Sequence, residues 1–428
     1  MPDTSTIGAV LNLFGAGRNS GTKVPLTTDK TLSLADRAAD AQKVGEALDT
    51  KADKARENFL IGRASGAAIS VDDAFAAPML GLHVYGKSTQ DSTQDSTPTP
   101  TVPVPITSAG SGGTVTVRLT GENLLNPSLF QDGRYQNFDG TSANYAIATN
   151  DNYWITGLQP CVSGTAYHVN RVFSGGCFYD EARQPLGAIS VGESFRTPTR
   201  CDYFCLNFEK SAVAFGAQVA VALGDAIYAP YAEQTLTLQT PNTLPGIPVS
   251  SGGNYTDENG QQWVCDEVDL ARGVYVQHVT KIKLTSSMKW TKVGNKVDRY
   301  FAQFDGTSAT NVLCTHFSTS VGSEVVGGAM TNLNHLIGFA YADKGTTTID
   351  DFKAFLDANE VYVWTSLATP VKTALSAAEI SAYKALTTYA PTTVISVSGG
   401  AGITAVYQRD ANIVVKALED AIASMTTH

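Results

Sequence analysis

The stretch RCDYFCLNF (Arg200–Phe208) puts Phe204, Leu206 and Phe208 on one face of an extended chain and Cys201, Tyr203, Cys205 and Asn207 on the other. Strand side chains alternate with a period of two, so one face packs inward while the other meets a second layer or a surface. Around this stretch, from Asn123 to Tyr231, short runs rich in Tyr, Phe and Val are punctuated by Asp132-Gly133, Asp139-Gly140, Ser163-Gly164 and Ser174-Gly175-Gly176. That spacing predicts a β-sandwich of jelly-roll type. Just upstream, SAGSGG (Ser108–Gly113) opens TVTVRLTG, with Val115, Val117 and Leu119 on a common face. The expected fold class is mainly β: an elongated, multi-module protein with a short N-terminal coiled-coil helix, β-sandwich modules and a few short C-terminal helices.

The totals agree with this. The chain has 428 residues, enough for two to four modules at roughly 100 to 200 residues each, and 38 Gly and 17 Pro punctuate its Thr-, Ser- and Val-rich runs. A net charge of -10 with only 16% charged residues leaves no basic field to draw nucleic acid or anionic lipid by counterion release. No run approaches the ~18 apolar residues of a membrane span, and Ile7–Phe14 is too short for a span or a signal core. This argues against a conventionally secreted adhesin and for manufacture in a bacterial cytoplasm. Cys161, Cys177, Cys201, Cys205, Cys265 and Cys314 show no Cys-x-x-Cys pair and no tight even spacing, so reduced, buried thiols are expected.

Near the N-terminus Leu34, Ala38, Ala41, Gly45, Leu48, Ala52, Ala55 and Phe59 recur in alternating four and three steps, a heptad seam that Ser33 can cap. Small residues make the seam thin; the alternative is an amphipathic helix packed on its own chain. STQDSTQDSTPTPTVPVP (Ser88–Pro105) then reads as an extended spacer, because each Pro fixes its own φ and restrains the preceding residue. Gly252-Gly253 and Asn259-Gly260 mark hairpin turns in a connector, the latter suited to a type I′ turn. Phe-Asp-Gly-Thr-Ser-Ala occurs at Phe138–Ala143 and again at Phe304–Ala309, with Tyr135 and Tyr300 just upstream, which hints at two related modules. Helices are expected over Ile349–Glu360, after the capping box Ser376/Glu379, and from about Ala411 to Ser424.

Four runs carry a resemblance: SLADRAADAQKVGEALDTKADK (Ser33–Lys54); YGKSTQ with TPTPTVPVPITSAG; GIPVSSGGNYTDENGQQWVCDEVDLARGVYVQHV (Gly246–Val279); and LATPVKTALSAAEISAYKALTTYAPTTVI (Leu367–Ile395). In this order the chain resembles the minor tail, baseplate and receptor-binding structural proteins of phages and prophages of Gram-positive, often intestinal, bacteria. The resemblance implies a non-enzymatic virion subunit of the tail or baseplate. It implies a homo-oligomer, often a trimer, that contacts other tail proteins and presents β-sandwich modules to the host surface. The division it supports is an attachment segment at 1–30, a coiled-coil helix at 31–62, a spacer and β-connector at 63–122, and a sandwich and candidate carbohydrate-binding module at 123–234. A β-connector at 235–287 and a second β-module with short helices at 288–428 complete it.

Asp151, Tyr153, Trp154, Tyr179 and Asp180 are the candidate carbohydrate-binding residues. An aromatic face can stack on the apolar side of a sugar while a neighbouring carboxylate or amide bonds its hydroxyls. In a sandwich such aromatics more often fill the core. Asp180-Glu181 and Asp266-Glu267-Val268-Asp269 could supply the two carboxylates of a glycosidase, about 5 to 10 Å apart, although acidic surface loops are the commoner case. No catalytic residue, cofactor or resident metal is assigned. The weaker alternatives are zinc held by Cys201 and Cys205 with Cys161, Cys177 or His168, a Cys161–Cys177 disulfide, and calcium at Asp139 or Asp305.

Overall fold

A computed structural model describes residues 59–72, 76–90, 97–137, 146–294, 296–319, 325–331 and 336–410. Among these the chain is mainly β, in antiparallel sheets, with two α-helices. No helix among the described residues is long and apolar enough to cross a membrane. The attachment segment, the heptad seam from Leu34 to Ala55, Asp139 and the helix expected after Ala411 lie outside the described residues. Phe59 differs from its expected role as the last seam residue. It opens the strand Phe59–Gly66, where register with Asp410 commits its backbone to a sheet ladder rather than a helix.

A scaffold sandwich is assembled from distant parts of the chain. Its larger sheet runs in the order Phe59–Gly66, Gly402–Asp410, Gly81–Tyr85, Glu267–Asp269, Val274–Lys283, Tyr362–Ala374 and Thr307–Cys314. Its smaller sheet runs Glu233–Gln239, Thr114–Thr120, Thr392–Val397 and Ala68–Asp72. The alternation in TVTVRLT sets the packing. Val115, Val117 and Leu119 are completely buried with Leu236 and Leu238 from the paired strand, in one core with Leu82, Val84, Ile403 and Ala405 of the larger sheet. Each such side chain contributes about 1.5–3 kcal/mol by leaving water. A helix, Ala377–Lys384, flanks this core, capped by reciprocal hydrogen bonds between Ser376 and Glu379, and its Tyr383 reaches into the core.

Two modules interrupt the scaffold, each at the end of a strand pair. Thr120 and Glu233 are register partners, so residues 121–232 leave and re-enter the smaller sheet at one point. This insert has its own sheets, one of three strands and one built on Tyr203–Glu209, around a core that includes Trp154, Phe173, Phe204, Leu206 and Phe208. From Tyr203 to Phe208 the two faces separate as the alternation predicts, whereas Cys201, before the strand begins, joins the core of Phe204 and Leu206. Cys205 and Tyr203 belong to a second cluster with Ile155, Cys177 and Tyr179, and Asn207 exchanges hydrogen bonds with the backbone of Gln136.

The second interruption, residues 284–361, lies between Lys283 and Tyr362, which are also register partners. Its core is aromatic, with Trp290, Tyr300, Phe317, Phe339 and Phe352 packed together. The helix Ile349–Ala358, held by a Thr348/Asp351 capping box, stacks Phe352 on Tyr300 at 4.4 Å. Phe304 of the second Phe-Asp-Gly-Thr-Ser-Ala copy is buried in this core. Gly306 turns the chain at φ +75, a conformation favourable to glycine, and Thr307 Oγ1 donates to the Phe304 carbonyl at 2.7 Å.

The segments expected to be spacer and connector are integrated into the scaffold. Ser88–Gln90 pairs with Ile106–Ser108, so the Pro-rich stretch closes a loop rather than running free. Within it Val104 is buried and donates its N–H to the Thr315 carbonyl at 2.8 Å. Residues already restrained by Pro lose little entropy on docking, which is why a spacer-like composition is compatible with packing. Between residues 235 and 287, Glu267–Asp269 and Val274–Lys283 are scaffold strands, while Gly246–Val249, Gln262–Cys265 and Tyr255–Thr256 form a small sheet. At Asn259-Gly260 only Gly260 takes positive φ, and Gly260 N–H donates to the Asp257 carbonyl at 3.0 Å. The turn is therefore not type I′, which needs positive φ at both central residues. The Asp257 carboxylate accepts from the N–H groups of Asn259 and Gln261 and holds the alternative turn.

Candidate functional site

Alternation in Thr114–Thr120 also builds a site. While Val115, Val117 and Leu119 face the core, Thr114, Thr116, Arg118 and Thr120 face outward and floor a cleft of about 190 Å³ whose opposite wall is the insert. The insert contributes Cys161, Tyr167, Glu181, Asp202 and Tyr203, and Tyr231 stands at the return crossing.

Arg118 is opposite Thr235, so Glu233, two residues away on the paired strand, is its diagonal neighbour on the same face. Arg118 Nη1 donates to Glu233 Oε1 at 2.5 Å, and the Tyr231 hydroxyl donates to the other carboxylate oxygen. Burial, reinforced by the Glu233 charge, pushes the Tyr231 phenol well above its ordinary range, so it remains a donor at any physiological pH. On the insert side, burial and then the charges of Glu181 and Asp180 push Asp202 up to about 6. Glu181 reaches across to the Gly-rich turn before Thr114: a Cβ at Gly112 would lie 2.6 Å from Glu181 Oε1. The cleft thus combines a guanidinium and carboxylate fork, phenols, hydroxyls and acidic groups, a donor and acceptor set suited to a polyhydroxylated ligand.

The residues predicted for carbohydrate contact are dispersed. Trp154 is fully buried, stacked on Phe208 at 4.5 Å, with Nε1 donating to the Val213 carbonyl at 2.8 Å. Tyr179 is buried too, its hydroxyl donating to Gln136 Oε1. Neither can offer a ring face to a ligand arriving from solvent, which corrects the expectation for both. Asp180 closes its own turn by accepting from Gln184 N–H at 2.7 Å. Asp151 and Tyr153 do share the surface of the strand pair Gln131–Gln136 and Ile147–Ile155. There Tyr153 meets Tyr135 edge-on at 4.8 Å, and Asp151 is exposed near Gly133.

The carboxylate runs divide likewise. Glu181 reaches the cleft, whereas Asp266 is buried elsewhere, accepting from the N–H groups of His278 and Val279 and from the Tyr275 hydroxyl. Burial nevertheless pushes Asp266 up to about 6. Asp269 pairs with Arg272 and His83, at 3.4 and 3.5 Å. Asp305 accepts from Gln303 Nε2 at 2.8 Å. Among the described residues no group of three or more His, Cys, Asp or Glu side chains is arranged to hold a metal ion. All six cysteines are free thiols. Cys201 lies beside Cys161 rather than with Cys205 in a ligand set, and Cys177 is the register partner of Cys205.

Arg118, Glu233, Tyr231 and Asp202 were not singled out from the sequence. Their signal was a lone Arg at a polar-face position of an alternating strand, but its partner is 115 residues away. No protein-family model matches the chain, and no curated protein or solved structure matches it.

Proposed function

We propose that the chain is a structural subunit of a bacteriophage tail or baseplate, and that its insert, a jelly-roll-like sandwich, contributes to attachment by contacting host-surface carbohydrate. The observation that carries this reading is the insertion of residues 121–232, with a core of their own, at one point of a scaffold hairpin. Such a connection lets a recognition module vary while the scaffold keeps its assembly contacts. The cleft at its root supplies the recognition chemistry: Arg118, Glu233 and Tyr231 to bond hydroxyls, and Tyr203 to contact the apolar side of a ring. In this reading the chain acts by binding and assembly as a homo-oligomer, a trimer about the tail axis, with other tail proteins as partners on the particle.

The test is binding of the purified full chain to immobilised cell-wall polysaccharides of Gram-positive bacteria, with Arg118→Ala and Tyr203→Ala beside it. The expected result is saturable binding that each substitution weakens by tenfold or more. Absence of binding to every polysaccharide, together with absence of the protein from tails in immunogold labelling, would refute the proposal. A purely architectural role is the second reading, favoured by the burial of Trp154 and Tyr179. It predicts that loss of the insert blocks particle assembly and leaves adsorption of the assembled particles unchanged.

A further inference from the structure

Cys161 and Cys201 face one another with their Sγ atoms 3.5 Å apart. The two chain segments that carry them run side by side, with Cys161 N–H donating to the Asp202 carbonyl at 2.8 Å just beyond the Pro160–Tyr203 pair. Their access to solvent differs. Cys161 is half-buried and lines the cleft, while Cys201 is 1% exposed behind it. Cys177 and Cys205 are also neighbours, yet both are sealed, and the Cys177 thiol donates to the Phe178 carbonyl. A disulfide requires sulfurs at about 2.05 Å, so closure draws the two sulfurs together from 3.5 Å.

We propose that Cys161 and Cys201 are a redox-active pair, closed to an intramolecular disulfide by low-molecular-weight disulfides that enter through the cleft. The Cys161 thiolate attacks one sulfur of the incoming disulfide, forms a mixed disulfide and expels one thiol. Cys201 then attacks the Cys161 sulfur and expels the second. The two protein thiols give up two electrons and two protons, and the reagent takes both up as two thiols. The bridge joins positions 40 residues apart, both in the insert, and lies in the wall of the cleft. It would therefore form when the protein passes from a reducing cytoplasm to an oxidising medium. The inference holds whether or not the attachment reading does. Burial, and then the neighbouring Cys201, push the Cys161 thiol up, so thiolate is scarce near neutrality and closure quickens as pH rises.

The test uses the full chain with oxidised glutathione, followed by denaturation, alkylation and peptide mapping. Expected are loss of two of the six alkylatable thiols and a single Cys161–Cys201 linkage. The unfolding midpoint of the insert should rise by on the order of 10 °C, reversibly on reduction. Cys201→Ala should stop at a mixed glutathione disulfide on Cys161, and Cys161→Ser should form neither bridge nor adduct at that position. The adduct on Cys201→Ala reads Cys161 access even if Cys161→Ser misfolds. Six alkylatable thiols after oxidation, a wild-type chain arrested at the mixed disulfide, or a linkage through Cys177 or Cys205 would overturn the proposal.

Discussion

The two interrupting modules enter the scaffold in the same way and are held to it differently. Residues 121–232 and 284–361 each fill the gap between register partners, Thr120 with Glu233 and Lys283 with Tyr362. Among the described residues the strands of the insert pair only with one another, whereas Thr307–Cys314 of the second module hydrogen-bonds to the scaffold strand Tyr362–Ala374 and becomes the edge of its larger sheet. Core residues of the second module also come from the scaffold strands, with Val363 packed among its aromatics. One module is carried by the scaffold and the other completes it. A recognition function, which needs freedom to vary, suits the first, and an assembly function suits the second.

The comparison breaks first under deletion. Replacing residues 121–232 by Asn-Gly, which can close Thr120 onto Glu233 as a two-residue hairpin, should leave a cooperatively folding scaffold. Replacing residues 284–361 in the same way should abolish cooperative unfolding, as followed by circular dichroism and calorimetry. Next come single core truncations. Trp154→Ala and Phe352→Ala should each cost about 3–5 kcal/mol. The calorimetric loss should stay within the insert transition for Trp154→Ala and extend to the scaffold transition for Phe352→Ala. The capping substitution Thr348→Ala should cost about 1 kcal/mol and follow Phe352→Ala in character.

The comparison is sharpened, finally, by the titration of Asp202. Its folded-state pKa, about 6, lies above the ordinary carboxylate value of 3.8, so the folded insert binds the proton more tightly than the unfolded chain. This group therefore favours the folded state below about pH 4, and that contribution is lost as pH rises through 6. Asp202→Asn should raise the insert unfolding midpoint at pH 7 and have little effect at pH 4. Equal shifts at both pH values would show that the cleft does not strain this carboxylate.

Much of the fold could be read locally. The alternation in TVTVRLT, the two capping boxes and the faces of RCDYFCLNF depend on neighbours within one element, and sequence exposes neighbours. What escaped depends on partners far along the chain. Thr114–Thr120 pairs with Thr392–Val397, and Val104 docks on Thr315, although the stretch around Val104 has the composition of a spacer. Trp154 and Tyr179 were drawn to the surface by adjacent Asp and Asn residues. Yet Gly176–Tyr179 is buried on both faces, so period-two alternation could not tell inner from outer there. Asp180, a candidate ligand residue by its sequence, spends its carboxylate on a backbone N–H group. The Arg118–Glu233 pair required strand register, which is a property of the assembled sheet.

The most direct test sets the full chain against the chain lacking residues 121–232 on the same immobilised Gram-positive cell-wall polysaccharides, after calorimetry has established that the shortened scaffold is folded. A carried recognition module predicts saturable binding by the full chain and none by the folded scaffold. Equal binding by both, or by neither, would contradict it.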